Sequence, residues 1–211
     1  MNKQESESSN TKNKIATAII LSTGSEIVEG LYPDTNAQKI AQRLKEQGIT
    51  TLLHHAIPDD PDLFRDVLRS TIGKTDLVIC TGGIGPTEDD LNRELTAEVY
   101  GQNLIRIKEA ENIIKDRFTK RGRKLPPGNL KQAEVPENST PLLNHWGTAC
   151  GFFIHKSEDK PAFLSLPGVP KEWRAMFDAY FEEIKKEAFD TLPVYLTKTI
   201  HVVLVPESEI N

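Results

Sequence analysis

Short apolar runs alternate with amphipathic stretches along most of this chain. Residues 15–21 (IATAIIL) are β-favouring and stop at Ser22-Thr23-Gly24, the pattern of a strand buried on both faces that feeds a loop. Asp34-Thr35-Asn36 are helix-capping residue types, Ala37, Ile40, Ala41 and Leu44 follow at helical spacing, and Gly48 supplies a stop. A second strand is expected over 49–57, ending at Pro58-Asp59-Asp60, then an amphipathic helix through Leu63, Val67 and Leu68 to Gly73. Residues 76–80 (DLVIC) form a third buried strand. Helices are expected from Leu91 to Gly101 and over 107–120, and strands, partly antiparallel, at 132–135, 151–155 and 162–166. A long helix over 171–188 carries Trp173, Met176, Phe177, Tyr180, Phe181 and Ile184 as a packing stripe. An extended segment follows Pro193. Strands alternating with helices place the chain in the α/β class, with a mostly parallel sheet covered on both faces.

Composition narrows the functional classes. At 211 residues the chain suits one domain of ordinary size, here 15–190; the polar residues 1–14 read as a disordered tail and 191–211 as the start of a second region. A net charge of -5 argues against broad nucleic-acid binding, and the basic run at 115–124 reads as a solvated helix end. No stretch reads as a bilayer span, so no membrane role is expected. Cys80 and Cys150 are far apart and outside any CxxC pair, which speaks against a zinc or disulfide framework and fits a reducing cytoplasm.

The candidate chemistry centres on the turn at 81–90, TGGIGPTEDD, between a buried strand and a helix. Gly82, Gly83 and Gly85 allow positive φ and let backbone N–H groups approach an anion, while Thr81, Pro86 and Thr87 frame the same turn. The following helix adds its positive end, and ligands of open parallel sheets lie at the carboxyl ends of the strands. No Gly-Lys-Ser/Thr follows, and GxGxxG is not matched, so neither a P-loop nor a dinucleotide fingerprint is present. A simple tight turn is the competing reading. Glu88-Asp89-Asp90 beside an anion cradle implies a bridging divalent cation, unless the acids only stabilise the helix start. Gly24, Ser25 and Glu26 after the first strand and Asp59 after the second emerge at the same edge; Asp59 and Asp90 are the candidates for catalysis, and Asp59, Asp89 and Asp90 for holding metal. For Asp59, capping of the next helix is the alternative. Gly147 and Thr148 in NHWGTACG, and Pro167 and Gly168 in LPGVP, belong to loops able to close the pocket. The expected ligand is a small nucleotide or pterin.

The motifs STGSEIVEGLYPDTNAQ (22–38), TGGIGPTEDDLNRELTAE (81–98), KQAEVPENS (131–139), GTACGF (147–152) and LPGVPKEW (166–173) resemble the N-terminal domain of CinA, the competence/damage-inducible family, within the wider MoaB/Mog molybdopterin-binding fold family. The resemblance implies a three-layer α/β/α domain, a phosphate cradle at 81–90, Asn36 as a further nucleotide contact, and self-association. It implies for CinA-like domains a pyrophosphatase acting on ADP-ribose or a related nucleotide diphosphate with Mg, Mn or Co, and for Mog-like members adenylylation of molybdopterin; a non-catalytic binding module is the third reading. Glu207-Ser208-Glu209 resembles the opening of the family's next region, and the nicotinamide-nucleotide amidase domain that usually follows is not in this sequence. Asn92 stands where the family commonly has threonine, and Cys150 where GTAPG has proline.

Overall fold

The computed structural model describes residues 15–189, together with 192, 203 and 209. The expected tail at 1–14 lies outside the described residues, as does nearly all of the expected segment after 193. In chain order the elements are β1 (Thr17–Thr23), a short α1 (Ser25–Val28), α2 (Thr35–Glu46), β2 (Thr50–Ile57), α3 (Pro61–Ser70), β3 (Leu77–Thr81), α4 (Asn92–Tyr100), β4 (Leu104–Arg106), α5 (Lys108–Lys120), a 3-10 segment (Pro127–Ala133), β5 (Glu134–Pro136), β6 (Ser139–Leu142), β7 (Gly151–Ile154), β8 (Ala162–Leu166) and α6 (Pro170–Ala188).

Six strands make one sheet in the order β2-β1-β3-β8-β7-β6, and β4 and β5 make a separate ribbon. The pairs β1–β2, β1–β3 and β3–β8 are parallel, whereas β7 runs antiparallel to both β8 and β6. The apolar runs are continuous because both faces are covered. Ala18, Ile20, Leu77, Ile79 and Leu164 face α2 and α6, where Ile40, Leu44, Trp173, Met176 and Phe177 meet them. Their neighbours Ile19, Leu21, Val78, Cys80 and Phe163 face α3, α4 and α5 through Phe64, Leu68, Leu95 and Ile114. The period-two alternation of strand side chains thus builds two cores from one set of strands, giving three layers.

α2, which lies between β1 and β2, packs on one face, and α4, which follows β3, packs on the other. The chain therefore parts at the carboxyl ends of β1 and β3 and leaves a crevice between diverging loops, where open α/β sheets receive ligands.

Several short elements differ from expectation. Pro126, Pro127 and Gly128 interrupt any ladder, so 132–133 close a 3-10 segment and the strand begins at Glu134. β6 contains Pro141 and sits at the sheet edge, where a missing N–H is tolerated. The helix at Lys108–Lys120 absorbs part of the basic run: Lys115 pairs with Glu111 within it, and Arg117 donates to the His145 carbonyl at 2.6 Å. Cys80 and Cys150 are free and buried, and burial pushes both thiols up to about 12. They are neutral core residues.

Asp34 joins α2 to the sheet. Its carboxylate caps the helix by accepting from Ala37 N at 2.8 Å and meets His54 Nε2 of β2 at 2.8 Å. Burial raises the carboxyl, but hydrogen bonds with His54, Ser22 and Ala37, together with the charge of His54, outweigh it and hold the group at about 2, against 3.8 when free. A depressed carboxyl contributes stability above its unfolded value and loses it as pH falls towards the folded one. Asp34→Asn is therefore expected to lower the melting temperature at pH 7, with the gap to wild type closing between 3.8 and about 2; melting curves at several pH values check this.

Candidate functional site

The ends of β1, β3 and β8 stop side by side, and the loops beyond them surround a cleft of about 590 Å³. Its rim includes Thr23, Gly24 and Glu26 after β1, Asp59 after β2, Gly82 to Pro86 with Asp89 and Asp90 after β3, and Pro167 to Pro170 after β8. Thr148 and Ala149 close one side, and Gln132 and Glu172 complete the lining.

Two glycines of the turn are sterically fixed. Gly82 has φ +97°, and a Cβ there would lie 2.8 Å from the Thr23 carbonyl oxygen; Gly83 has φ +65°, and a Cβ there would collide with the Asn92 amide. The turn is held from behind rather than by a cap on α4. Asn92 is buried, and its Nδ2 donates to Thr23 Oγ1 at 2.8 Å and to the Gly82 carbonyl at 2.9 Å, while its backbone N donates to Gly83 O at 3.0 Å. A threonine hydroxyl has one proton and cannot make both side-chain donations, so the asparagine at this position ties two strand ends together.

Each carboxylate has a distinct setting. Asp59 Oδ2 accepts from Ser25 N at 3.0 Å and Ser25 Oγ at 2.9 Å, which commits Ser25 to positioning Asp59. The cap of α3 is Asp60, which accepts from Asp62 N and Leu63 N. Asp90 Oδ2 accepts from Thr87 N at 3.0 Å and Thr87 Oγ1 at 2.5 Å, so Asp90 and Thr87 close the turn on themselves. α4 begins at Asn92, after Leu91, with no side-chain cap; the acids at 88–90 precede it without capping it. Lys131 Nζ donates to Asp90 O at 3.1 Å and also to Thr87 O, fixing the outer half of the turn.

Of the residues expected to bind phosphate or nucleotide, Gly24, Glu26, Gly82, Gly83, Gly85, Pro86, Thr148, Pro167 and Gly168 line the cleft, as do Asp59, Asp89 and Asp90. Thr81, Asn36, Ser25, Thr87 and Gly147 are not among the lining residues, and Thr87 is exposed. Asn36 does not point a free amide at a ligand: Nδ2 donates to Gly168 O at 2.7 Å and Thr81 Oγ1 at 3.3 Å, and Oδ1 accepts from Trp173 Nε1 at 2.7 Å. Gly147 lies so close to Glu172 that a Cβ there would strike its carboxylate, and its N donates to Asn144 Oδ1 at 2.6 Å. Gln132 and Glu172 are the cleft residues that periodicity could not single out. Each sits within a segment expected to be regular, and only tertiary folding turns it towards the β3 turn.

Five carboxylates, from Glu26, Asp59, Asp89, Asp90 and Glu172, face this space. Beneath it lies Arg93, fully buried, donating from Nη2 to the Ile84 carbonyl at 2.6 Å and 3.8 Å from Glu94. Burial pushes its guanidinium down, and Glu94, Glu134 and Asp90 pull it back. Hard oxygen donors of this kind suit a divalent cation such as Mg²⁺ or Mn²⁺. Among the described residues no three His, Cys, Asp or Glu side chains gather into a group able to hold a metal ion. Oδ1 of Asp59 and of Asp90 lies outside the bonds to Ser25 and Thr87 described above.

The fold corresponds to a known class. Residues 19–186 match the family model described as "Probable molybdopterin binding domain". The "CinA-like protein" of Dictyoglomus thermophilum is 40% identical over 161 residues, 76% of this chain and 39% of that protein. That of Fervidobacterium nodosum is 38% identical over 191 residues, 90% of this chain and 45% of that protein. The crystal structure of the protein CinA from Thermoplasma acidophilum superposes with a TM-score of 0.72 at 34% identity, covering 81% of this chain and 99% of that one. MoaB from Thermus thermophilus, a molybdopterin biosynthesis enzyme, shares the fold at 19% identity and a TM-score of 0.54, over 82% of this chain and 94% of that one. The chain therefore belongs to the molybdopterin-binding domain family, among its CinA-like members. It spans about two-fifths of the length of the first of these relatives. Among the described residues no helix is long and apolar enough to cross a membrane.

Asn36 joins α2, the β3 end, the β8 loop and α6, so its loss affects the site through its walls. Asn36→Ala leaves the indole N–H of buried Trp173 without its partner and is expected to destabilise by about 1–3 kcal/mol. Urea unfolding monitored by Trp fluorescence checks this.

Proposed function

We propose that this domain binds a phosphorylated nucleotide in the cleft and hydrolyses its pyrophosphate, with ADP-ribose or a related nucleotide diphosphate as substrate and Mg, Mn or Co as cofactor. The observation that carries this reading is the meeting of a glycine turn and several carboxylates at one sheet edge, over a buried arginine. Glycines admit the phosphate closely, and Arg93 supplies positive potential from below.

The carboxylates would repel a bare phosphate. A bound divalent cation would remove that conflict by neutralising phosphate charge, which would ease displacement at phosphorus. Asp59 and Asp90, with Asp89 beside them, would hold it; two or three protein oxygens suffice where phosphate oxygens complete the shell, as is usual for magnesium with phosphorylated substrates. Asp59 is steadied by Ser25 and Asp90 by Thr87, so each presents a carboxylate in a set orientation. Such a carboxylate can accept a proton from water as it attacks. The products would be AMP and ribose 5-phosphate, balanced by one water.

A second reading is a binding module that holds a phosphorylated pterin or nucleotide without turnover. The molybdopterin-binding family description favours it, as does the lack of a ready-made three-ligand group among the described residues.

Incubating the purified chain with ADP-ribose and Mg²⁺, Mn²⁺ or Co²⁺ is expected to yield AMP, and EDTA to stop it. Asp90→Asn keeps an acceptor for Thr87 but removes the charge, and should cut turnover by about 10²-fold or more with binding retained. Binding of unaltered ADP-ribose with no AMP would overturn hydrolysis in favour of the binding module.

A further inference from the structure

Gln132 lines the cleft with 1% of its surface exposed, and its Nε2 has no hydrogen-bond partner. A buried amide donor left unpaired is costly, and native structures retain one where a ligand supplies the missing acceptor. The side chain cannot easily withdraw. The Gln132 backbone carbonyl accepts from Cys150 N at 2.9 Å, the Ala133 backbone carbonyl accepts from Ile107 N at 2.8 Å, and the preceding Lys131 is bound to the 87–90 part of the turn. The backbone is pinned on both sides, and the amide stays in the cleft wall.

We infer that Gln132 is a ligand-binding residue whose amide N–H donates to a phosphoryl oxygen of the molecule held by the glycine turn, an inference that rests on the nucleotide-binding reading above. Phosphoryl oxygen is the acceptor favoured by the surroundings. Lys131 couples this segment directly to the turn that would cradle phosphate, and Arg93, also buried, has Nε and Nη1 without hydrogen-bond partners on the far side of that turn. Donors without hydrogen-bond partners thus sit on two elements that are each bonded to the glycine turn, Gln132 beside Lys131 and Arg93 through the Ile84 carbonyl. The carboxylates of the lining are the natural alternative acceptors, but none of them accepts from Gln132 Nε2, which is left without a partner.

The role separates from a packing role by the sign of two measurements. Calorimetry with pyrophosphate, AMP and adenosine in the presence of Mg²⁺ would be run on wild type, Gln132→Met and Gln132→Glu, alongside melting curves without ligand. Gln132→Met is expected to weaken pyrophosphate and AMP about tenfold while the free protein melts at the same or a higher temperature, because an unpaired buried amide has been removed. Gln132→Glu should weaken both further, by placing a carboxylate against phosphate. Unchanged affinity in Gln132→Met would overturn the inference. So would affinity lost only in step with a fall in melting temperature, or lost for AMP and adenosine but not for pyrophosphate. Wild type that binds neither pyrophosphate nor AMP would overturn the nucleotide reading itself, and this inference with it.

Discussion

Three parallel strands that end together inside a protein leave backbone donors and acceptors at one buried edge, and these must find partners. In this domain two side-chain amides meet much of that demand. Asn92 bridges the end of β1 to the first residue of the glycine turn, and Asn36 bridges the end of β3 to the loop after β8. Because α2 and α4 leave on opposite faces, these amides act as ties across a gap that the topology holds open. The cleft is the consequence of that parting, and its glycine wall takes its shape from Asn92 pressed behind Gly83.

Charge gives the cleft its character. Carboxylates crowd the rim, yet beneath the turn lies a buried guanidinium, outside the lining, whose fixed hydrogen bond goes to a carbonyl of the turn itself. Positive below and negative around is an arrangement that favours an anion accompanied by a cation over either alone. Ser25 and Thr87, which resemble ligand-binding hydroxyls in sequence, instead orient Asp59 and Asp90.

The layers and most of the sheet were legible because strands buried on both faces read as unbroken apolar runs, and helices marked by Asp34, Gly48 and Gly101 begin or end near those residues. The turn at 82–85 and its acids were legible because glycine there answers a local backbone demand. What stayed hidden depends on contacts distant in sequence. Asn36 follows a helix-cap residue and lies in a helix, yet its partners are at 81, 168 and 173. Asp59 and Asp60 are both plausible caps, and only the approach of Ser25 separates their duties. Gln132 lay in an expected strand, and the 3-10 segment that turns it inward follows from prolines before it.

The most direct measurement of whether the glycine turn receives phosphate is the movement of backbone amide resonances as pyrophosphate is titrated into isotopically labelled protein with Mg²⁺. The largest shifts should fall at Gly82, Gly83, Ile84 and Gly85, which line the cleft at the end of β3. Shifts confined to other surfaces, with these four amides unmoved, would contradict the assignment of this turn as the anion site.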